Sequence, residues 1–177
     1  THKSDVGGVV LNVRNAAEVR SQYLEIQDAV QRALPQARLD GVTLQNMRRG
    51  RHGRELYVGV FRDPLFGPVI AFGAGGTRVE VVDDTTLEFP PLNRYLARRM
   101  IERTRIAETL GEFRGAPAID FERLEALLVA VSEMVCELPW IAEMDINPVI
   151  VDEGGLVAVD ARVAGRAIMP RSEEHTS

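Results

Sequence analysis

The sequence predicts an α+β fold in which an antiparallel sheet carries packed helices. Three observations point there. Strand-like runs cluster between Glu55 and Phe72 with turn signals between them, helical periodicity is confined to separate segments, and two further strands close the chain between Ile146 and Val163. Strands grouped in a meander, with helices set apart from them, disfavour a doubly wound parallel sheet.

Taken in order, Val6 to Val13 reads as a strand of small and branched residues. Asn15 with Glu18 three residues on forms an N-cap and capping-box pair, opening a helix that runs to about Leu34, where Pro35 stops it. Val42 to Met47 reads as a second strand, followed by a basic loop from Arg48 to Arg54. Glu55 to Arg62 and Val69 to Phe72 are strands separated by the turn signals Asp63-Pro64 and Gly67-Pro68. A glycine run, Gly73 to Gly76, leads to a short apolar stretch at Val79 to Val82. Tyr95 to about Leu110 predicts a helix or helix pair. Asp120 caps a further helix whose Leu124, Leu127, Leu128, Val131, Met134, Val135 and Leu138 recur at helical spacing, with Cys136 expected in the core or at its boundary. Ile146 to Val151 and Leu156 to Val163 are the closing strands, joined by a turn at Glu153-Gly154-Gly155.

Composition narrows the function classes. The chain has 177 residues, 45% apolar and 27% charged, enough for one domain or a domain and a fraction. A single cysteine cannot pair within the chain, and no apolar run approaches the ~20 residues of a spanning helix, so a soluble cytoplasmic protein without membrane contact is expected. A net charge of −5 argues against a general nucleic-acid binder, which needs a basic surface. Lys3 is the only lysine. The opening segment, Thr1 to Gly8, lacks an initiating methionine and reads as a loop from inside a longer protein. Residues 171–177 lack any apolar residue and resemble a translated sequencing adapter, so they are set aside as a scar.

Several segments could carry chemistry. In His2-Lys3-Ser4-Asp5-Val6-Gly7-Gly8-Val9, paired glycines can present N–H groups to a phosphate and His2 can accept a phosphoryl group, although paired glycines before a strand more often make a plain turn. Gly73 to Gly76 reads either as a tight hairpin or as a phosphate loop, and it lacks a Walker lysine. Asp145 and Asn147 alternate along a strand and therefore share a face, and Asp160 on the next strand could oppose them. Oxygen donors of this kind suit magnesium, whereas a bend at Asn147-Pro148 and a surface Asp160 are the bland alternative. The Arg48 to Arg54 loop reads as a solvated hairpin tip rather than an anion site, and Arg98, Arg99, Arg103 and Arg105 as a wetted helix face.

Together the blocks His2 to Val9, Glu55-Leu56-Tyr57-Val58-Gly59-Val60, Asp63-Pro64 with Phe66-Gly67-Pro68-Val69, Gly73 to Gly76 with Glu80 and Asp84, Pro90-Pro91-Leu92, Asp145 to Pro148 and Val159-Asp160-Ala161-Arg162 resemble the ATP-grasp region of nucleoside-diphosphate-forming acyl-CoA synthetases. The resemblance implies a partial lid subdomain at 1–45, the C-terminal ATP-grasp subdomain at 46–165 and a truncated end at 166–177. It implies acyl-CoA formation, acetyl-CoA in the first instance, coupled to ATP or ADP through a phosphohistidine and an acyl phosphate. By this resemblance His2 is catalytic; Gly7, Gly8, Gln45, Met47 and Glu55 bind nucleotide, with Gln45 to Met47 as a hinge strand against adenine and Glu55 near the ribose. Asn147 and Asp160 are magnesium ligands with Asp145 beside them. CoA and the acyl phosphate are substrates of the parent, whose CoA-binding and ligase domains lie in cis or on a second subunit.

One departure stands out. An ATP-grasp lid carries a phosphate-binding lysine, and Lys3 belongs to a different motif. The isolated 177-residue polypeptide is therefore expected to bind Mg-ATP only weakly, and calorimetric titration giving micromolar affinity would overturn this. The same module also resembles the acyl-CoA-synthetase-like regulatory region of GNAT-type protein-lysine acetyltransferases, the alternative function, and a binding domain without nucleotide is a third.

Overall fold

The computed structural model describes residues 6–47, 52–76 and 84–165. The chain divides into two compact units, Thr1–Arg48 and Arg49–Ser177, each taken by itself. The expectations placed on His2, on Val79 to Val82 and on 171–177 lie outside the described residues.

The first unit is built around helix α1, Ala16–Ala33. Asn15 is extended, and its side-chain oxygen accepts the Glu18 N–H at 2.9 Å. The Glu18 carboxylate turns back to the Arg14 N–H at 2.8 Å, one residue earlier than in the usual capping box, so the reciprocal cap is present with a shifted return bond. At the other end the Leu34 N–H donates to Val30 O, and Pro35, with no N–H, cannot prolong the helix.

The two strands expected here do not form. Residues 8–13 make no ladder: Asn12 sits at φ 63°, which breaks an extended run, and Val9 and Leu11 are exposed. Residues 41–47 are likewise irregular and exposed throughout, with Leu44 at 69%. Strand propensity becomes a strand only when a buried face and a partner fix its register, and the described residues supply neither.

The second unit holds an antiparallel sheet of β1 (Arg54–Asp63), β2 (Gly67–Ala74), β3 (Thr85–Glu88), β4 (Ile141–Asp152), β5 (Gly155–Ala158) and β6 (Ala161–Gly165). The spatial order is β3-β2-β1-β4-β5, with β6 also paired to β4, so two strands of the expected meander form as β1 and β2, its third member is β3 rather than Val42 to Met47, and β4 returns beside β1. Asp63 forms the β1–β2 turn by accepting the Leu65 and Phe66 N–H groups, as the Asp-Pro signal predicts. The strand expected at Leu156 to Val163 is interrupted between Ala158 and Ala161, which leaves Asp160 in the break.

Helices α2 (Arg94–Glu102) and α3 (Phe121–Glu137) start from the Asn93 and Asp120 caps, with a 3-10 turn at Arg105–Thr109 between them. Leu124, Leu128, Val131 and Val135 of α3 join Met100 and Ile101 of α2 against Leu56, Val58, Val60, Ile70, Phe72, Met144 and Ile146 of the sheet. Each such side chain contributes about 1.5–3 kcal/mol on burial, so this single layer of contacts fixes which sheet face is inward. Cys136, at the α3 end, is exposed rather than in the core, because it falls one position past the buried stripe that ends at Val135. Arg98 does not merely wet a helix face: it pairs with buried Glu125 and stacks over Phe121 at 4.5 Å. Among the described residues no helix is long and apolar enough to cross a membrane.

Candidate functional site

With the helices on the face of Leu56, Val58 and Val60, alternation sends Glu55, Tyr57 and Gly59 of β1 to the opposite face. The β1–β4 register pairs Val58 with Ile146 and Leu56 with Val149, so Asn147 and Pro148 together oppose the single residue Tyr57. This bulge keeps Met144 and Ile146 inward before it and Val149 and Val151 inward after it. Pro148, which has no N–H, sits where the ladder is already interrupted, and its carbonyl accepts the Val159 N–H at 3.0 Å. The Asn147-Pro148 dipeptide is thus more than a bend, since it delivers Asn147 to the face of Glu55, Tyr57 and Gly59.

Three of the expected residues converge there with the glycine run. The Asn147 side-chain oxygen accepts the Gly76 N–H at 2.8 Å across 71 residues of sequence. Glu55 accepts the Gly75 N–H through its backbone carbonyl at 2.8 Å, and its carboxylate lies so close to Gly76 that a β-carbon at that position would overlap it. Gly76 also has φ +77°, where an L side chain is strained, so the backbone itself favours glycine there. The Asn147 N–H donates to Asp160 O at 3.1 Å. Continuing the β4–β6 register, which pairs Asp145 with Arg162 and Ile146 with Ala161, sets Asp160 opposite Asn147 on the same face. Asp160 is exposed, so the apolar run around it does not bury its carboxylate.

Asp145 lies two residues before Asn147 and accepts the Tyr57 hydroxyl at 3.0 Å. Burial first, then the hydrogen bond and the charge of Asp145, push the Tyr57 hydroxyl above its ordinary pKa, so the phenol is held as a proton donor. Among the described residues no group of three or more His, Cys, Asp or Glu could hold a metal ion. Asn147 retains a second lone pair on its carboxamide oxygen and Asp160 stands opposite it, oxygen donors of the kind that could hold a hard cation such as magnesium.

The remaining expected residues lie in the first unit. Gly7 has φ +70°, and a β-carbon there would sit 3.0 Å from Ala29 Cβ of α1, so packing on the helix alone accounts for glycine at that position. Gly8 follows in the same loop, and Gln45 and Met47 lie exposed in the irregular 41–47 stretch rather than on a hinge strand. Arg54, expected at a solvated tip, is buried at the start of β1, where its guanidinium donates to the carbonyls of His52, Thr109, Gly111 and Pro117. Sequence reasoning missed Tyr57 as a member of this face. The signal was available, since Tyr57 stands at the alternate position between Glu55 and Gly59.

An ATP-grasp domain family model matches residues 1–164. The acetate–CoA ligase (ADP-forming) I of Archaeoglobus fulgidus is 41% identical over 162 residues, covering 92% of this chain and 23% of that protein. The beta subunit of acetate–CoA ligase (ADP-forming) I from Pyrococcus furiosus is 39% identical over 162 residues, covering 92% of this chain and 69% of the subunit. Among solved structures, the dinucleotide-forming acetyl-coenzyme A synthetase 1 of Ca. Korarchaeum cryptofilum with coenzyme A and Ca-AMPCP superposes with a TM-score of 0.82 at 38% identity, covering 92% of this chain and 70% of that one. A second structure of that enzyme, with coenzyme A and Mg-AMPPCP and its phosphohistidine segment pointing towards the nucleotide site, gives a TM-score of 0.76 at 36% identity, covering 94% and 71%. The chain therefore spans less than a quarter of the A. fulgidus relative.

Proposed function

The chain belongs to the ATP-grasp domain family, and from that premise we propose that it is the nucleotide-handling portion of an ADP-forming acyl-CoA ligase. The parent enzyme converts a short carboxylic acid, acetate in the first instance, with CoA and ATP into acyl-CoA, ADP and phosphate, and can run in reverse to make ATP. The convergence of Glu55, Gly76 and Asn147 on one sheet face, with Asp160 opposite, is the observation that carries this reading.

In this reading Asn147 and Asp160 hold magnesium, and Asp145 stands beside them. Held by Asn147 and Asp160, magnesium would supply neutralisation of phosphate charge. Glu55 faces the ribose, Gln45 and Met47 lie against adenine, and the Gly7 and Gly8 N–H groups face phosphate. Residues 1–45 supply part of the lid and 46–165 the larger subdomain. A His2 ring nitrogen attacks the γ-phosphorus, the bond to the ADP oxygen breaks, and the phosphoryl group then passes to the acid as an acyl phosphate. The CoA thiol displaces phosphate from that acyl phosphate on the CoA-binding and ligase portions of the parent, carried in cis or on a second subunit. We place the enzyme in the cytoplasm. The similar proteins described above are named as ligases and synthetases, and no observation favours an acetyltransferase regulatory module.

The test is the full-length parent with acetate, CoA and Mg-ATP, its nucleotides resolved by chromatography. Equimolar ADP and acetyl-CoA are expected. Release of AMP, or no CoA-dependent turnover with any short acid tried, would refute the reading.

A further inference from the structure

Tyr57 has no part in the function proposed above, yet its surroundings are shaped around it. It stands two residues before Gly59 on the same face of β1, and Gly59 is the direct partner of Asp145 across the β1–β4 ladder. A β-carbon at Gly59 would overlap the Tyr57 hydroxyl oxygen and its ring carbon, so the phenol lies along the strand in the space that the missing side chain leaves. On the other side, the β2 residue paired with Tyr57 is Gly73, where a β-carbon would run into the Asp84 backbone carbonyl. The ring thus lies over Gly59, and its hydroxyl reaches Asp145 at 3.0 Å. A hydrogen bond of this kind fixes the direction in which a carboxylate presents its other oxygen.

We propose that Tyr57 is a positioning residue for the cation site: laid across Gly59, it holds one oxygen of Asp145 so that the other serves the cation or its bound water beside Asn147 and Asp160. The inference rests on the reading of Asn147 and Asp160 as cation ligands. Asp145 acts through a held geometry, and Tyr57 acts only through Asp145.

The test uses Mn²⁺ as the probe, its binding followed by electron paramagnetic resonance in the full-length parent with ADP present, alongside the Mg²⁺ dependence of turnover. Outer partners of metal ligands typically change affinity by about 10–100-fold, so Tyr57→Phe is expected to weaken Mn²⁺ binding about tenfold. The Mg²⁺ concentration for half-maximal rate should rise in parallel, with kcat at saturating Mg²⁺ changed much less. In an Asp145→Asn background, Tyr57→Phe should add nothing further. Asp145→Asn alone reads the same link should Tyr57→Phe fail to fold. Unchanged Mn²⁺ affinity in folded Tyr57→Phe, or an equal further loss in the Asp145→Asn background, overturns the inference. Wild-type Mn²⁺ affinity in an Asn147→Ala, Asp160→Ala variant would instead overturn the ligand reading beneath it, so the two failures are distinguishable.

Discussion

Replacing Asn147 and Asp160 together by alanine in the full-length parent is expected to lower kcat/KM for ATP by about 10³-fold or more, the scale of losing a metal that stabilises transferring phosphate. The two residues reach the same place by different routes. Asn147 is delivered by the β4 bulge, and Asp160 stands in the break between β5 and β6, with its carbonyl bonded to the Asn147 N–H. Each single substitution is expected to cost about 10²-fold, and the double less than their product, because groups that serve one ion act as a unit. Asn147→Ala carries an added cost. It removes the acceptor of the Gly76 N–H, which leaves the glycine loop held to β1 through the Gly75 N–H and Glu55 O alone. Asn147→Asp keeps an oxygen for both Gly76 and the cation, so it should retain markedly more activity than Asn147→Ala. Initial rates of ADP and acyl-CoA formation against ATP at fixed excess magnesium decide the matter. A double variant within a few-fold of wild type would remove these residues from the chemistry and favour a domain that binds without catalysing.

How much of this was legible in the sequence follows from which interactions are local. The Asn15–Glu18 cap, the Asp63 turn and the Asp120 cap are settled by residues within a few positions of one another, and the structure holds all three. The α3 stripe was legible because seven apolar residues recur at one period. Residues 8–13 and 41–47 have strand-like residues but gain no buried face, so propensity alone misleads. Strand β3 was passed over because Thr85–Glu88 is short and half exposed, and it exists by pairing with β2. At the site, alternation correctly put Asp145 and Asn147 on one face. The meeting of Gly76 with Asn147 is a contact between distant segments that no local pattern encodes. Gly73 to Gly76 reads in sequence as a hairpin or a phosphate loop; in the structure Gly73 and Ala74 end β2, and Gly75 and Gly76 are tied to Glu55 and Asn147.

Arg54 is where local reading and structure diverge most, and its removal is expected to have the largest effect on stability. A run of arginines and glycines suggests a wetted turn, yet Arg54 is 9% exposed at the first position of β1, on the inward side opposite Val151. Nε donates to Thr109 O at 2.9 Å, one terminal nitrogen to His52 O at 3.0 Å, and the other to Gly111 O at 3.1 Å and Pro117 O at 3.0 Å. One planar cation thereby ties the segment from Thr109 to Pro117 to the start of β1. In Arg54→Met the apolar stem is kept but four carbonyls lose their donor, three of them on that segment. A fully buried carbonyl left unsatisfied costs about 1–3 kcal/mol, and because His52, Thr109 and Gly111 are half-buried and Pro117 is exposed, the total should be about 3–5 kcal/mol. Arg54→Lys should rescue little, because an ammonium with three donors cannot span this fork. The measurement is amide hydrogen exchange at Ile119, whose N–H donates to Leu110 O at 2.9 Å across the tied segment. Protection there should fall about 10²–10³-fold in Arg54→Met while α3 amides change less, and equal loss everywhere would mean global unfolding rather than a local anchor. Because Glu55 follows directly and accepts the Gly75 N–H, fraying at Arg54 should also loosen the glycine loop. Nucleotide affinity of the parent is then expected to fall with Ile119 protection, although Arg54 itself faces away from the site.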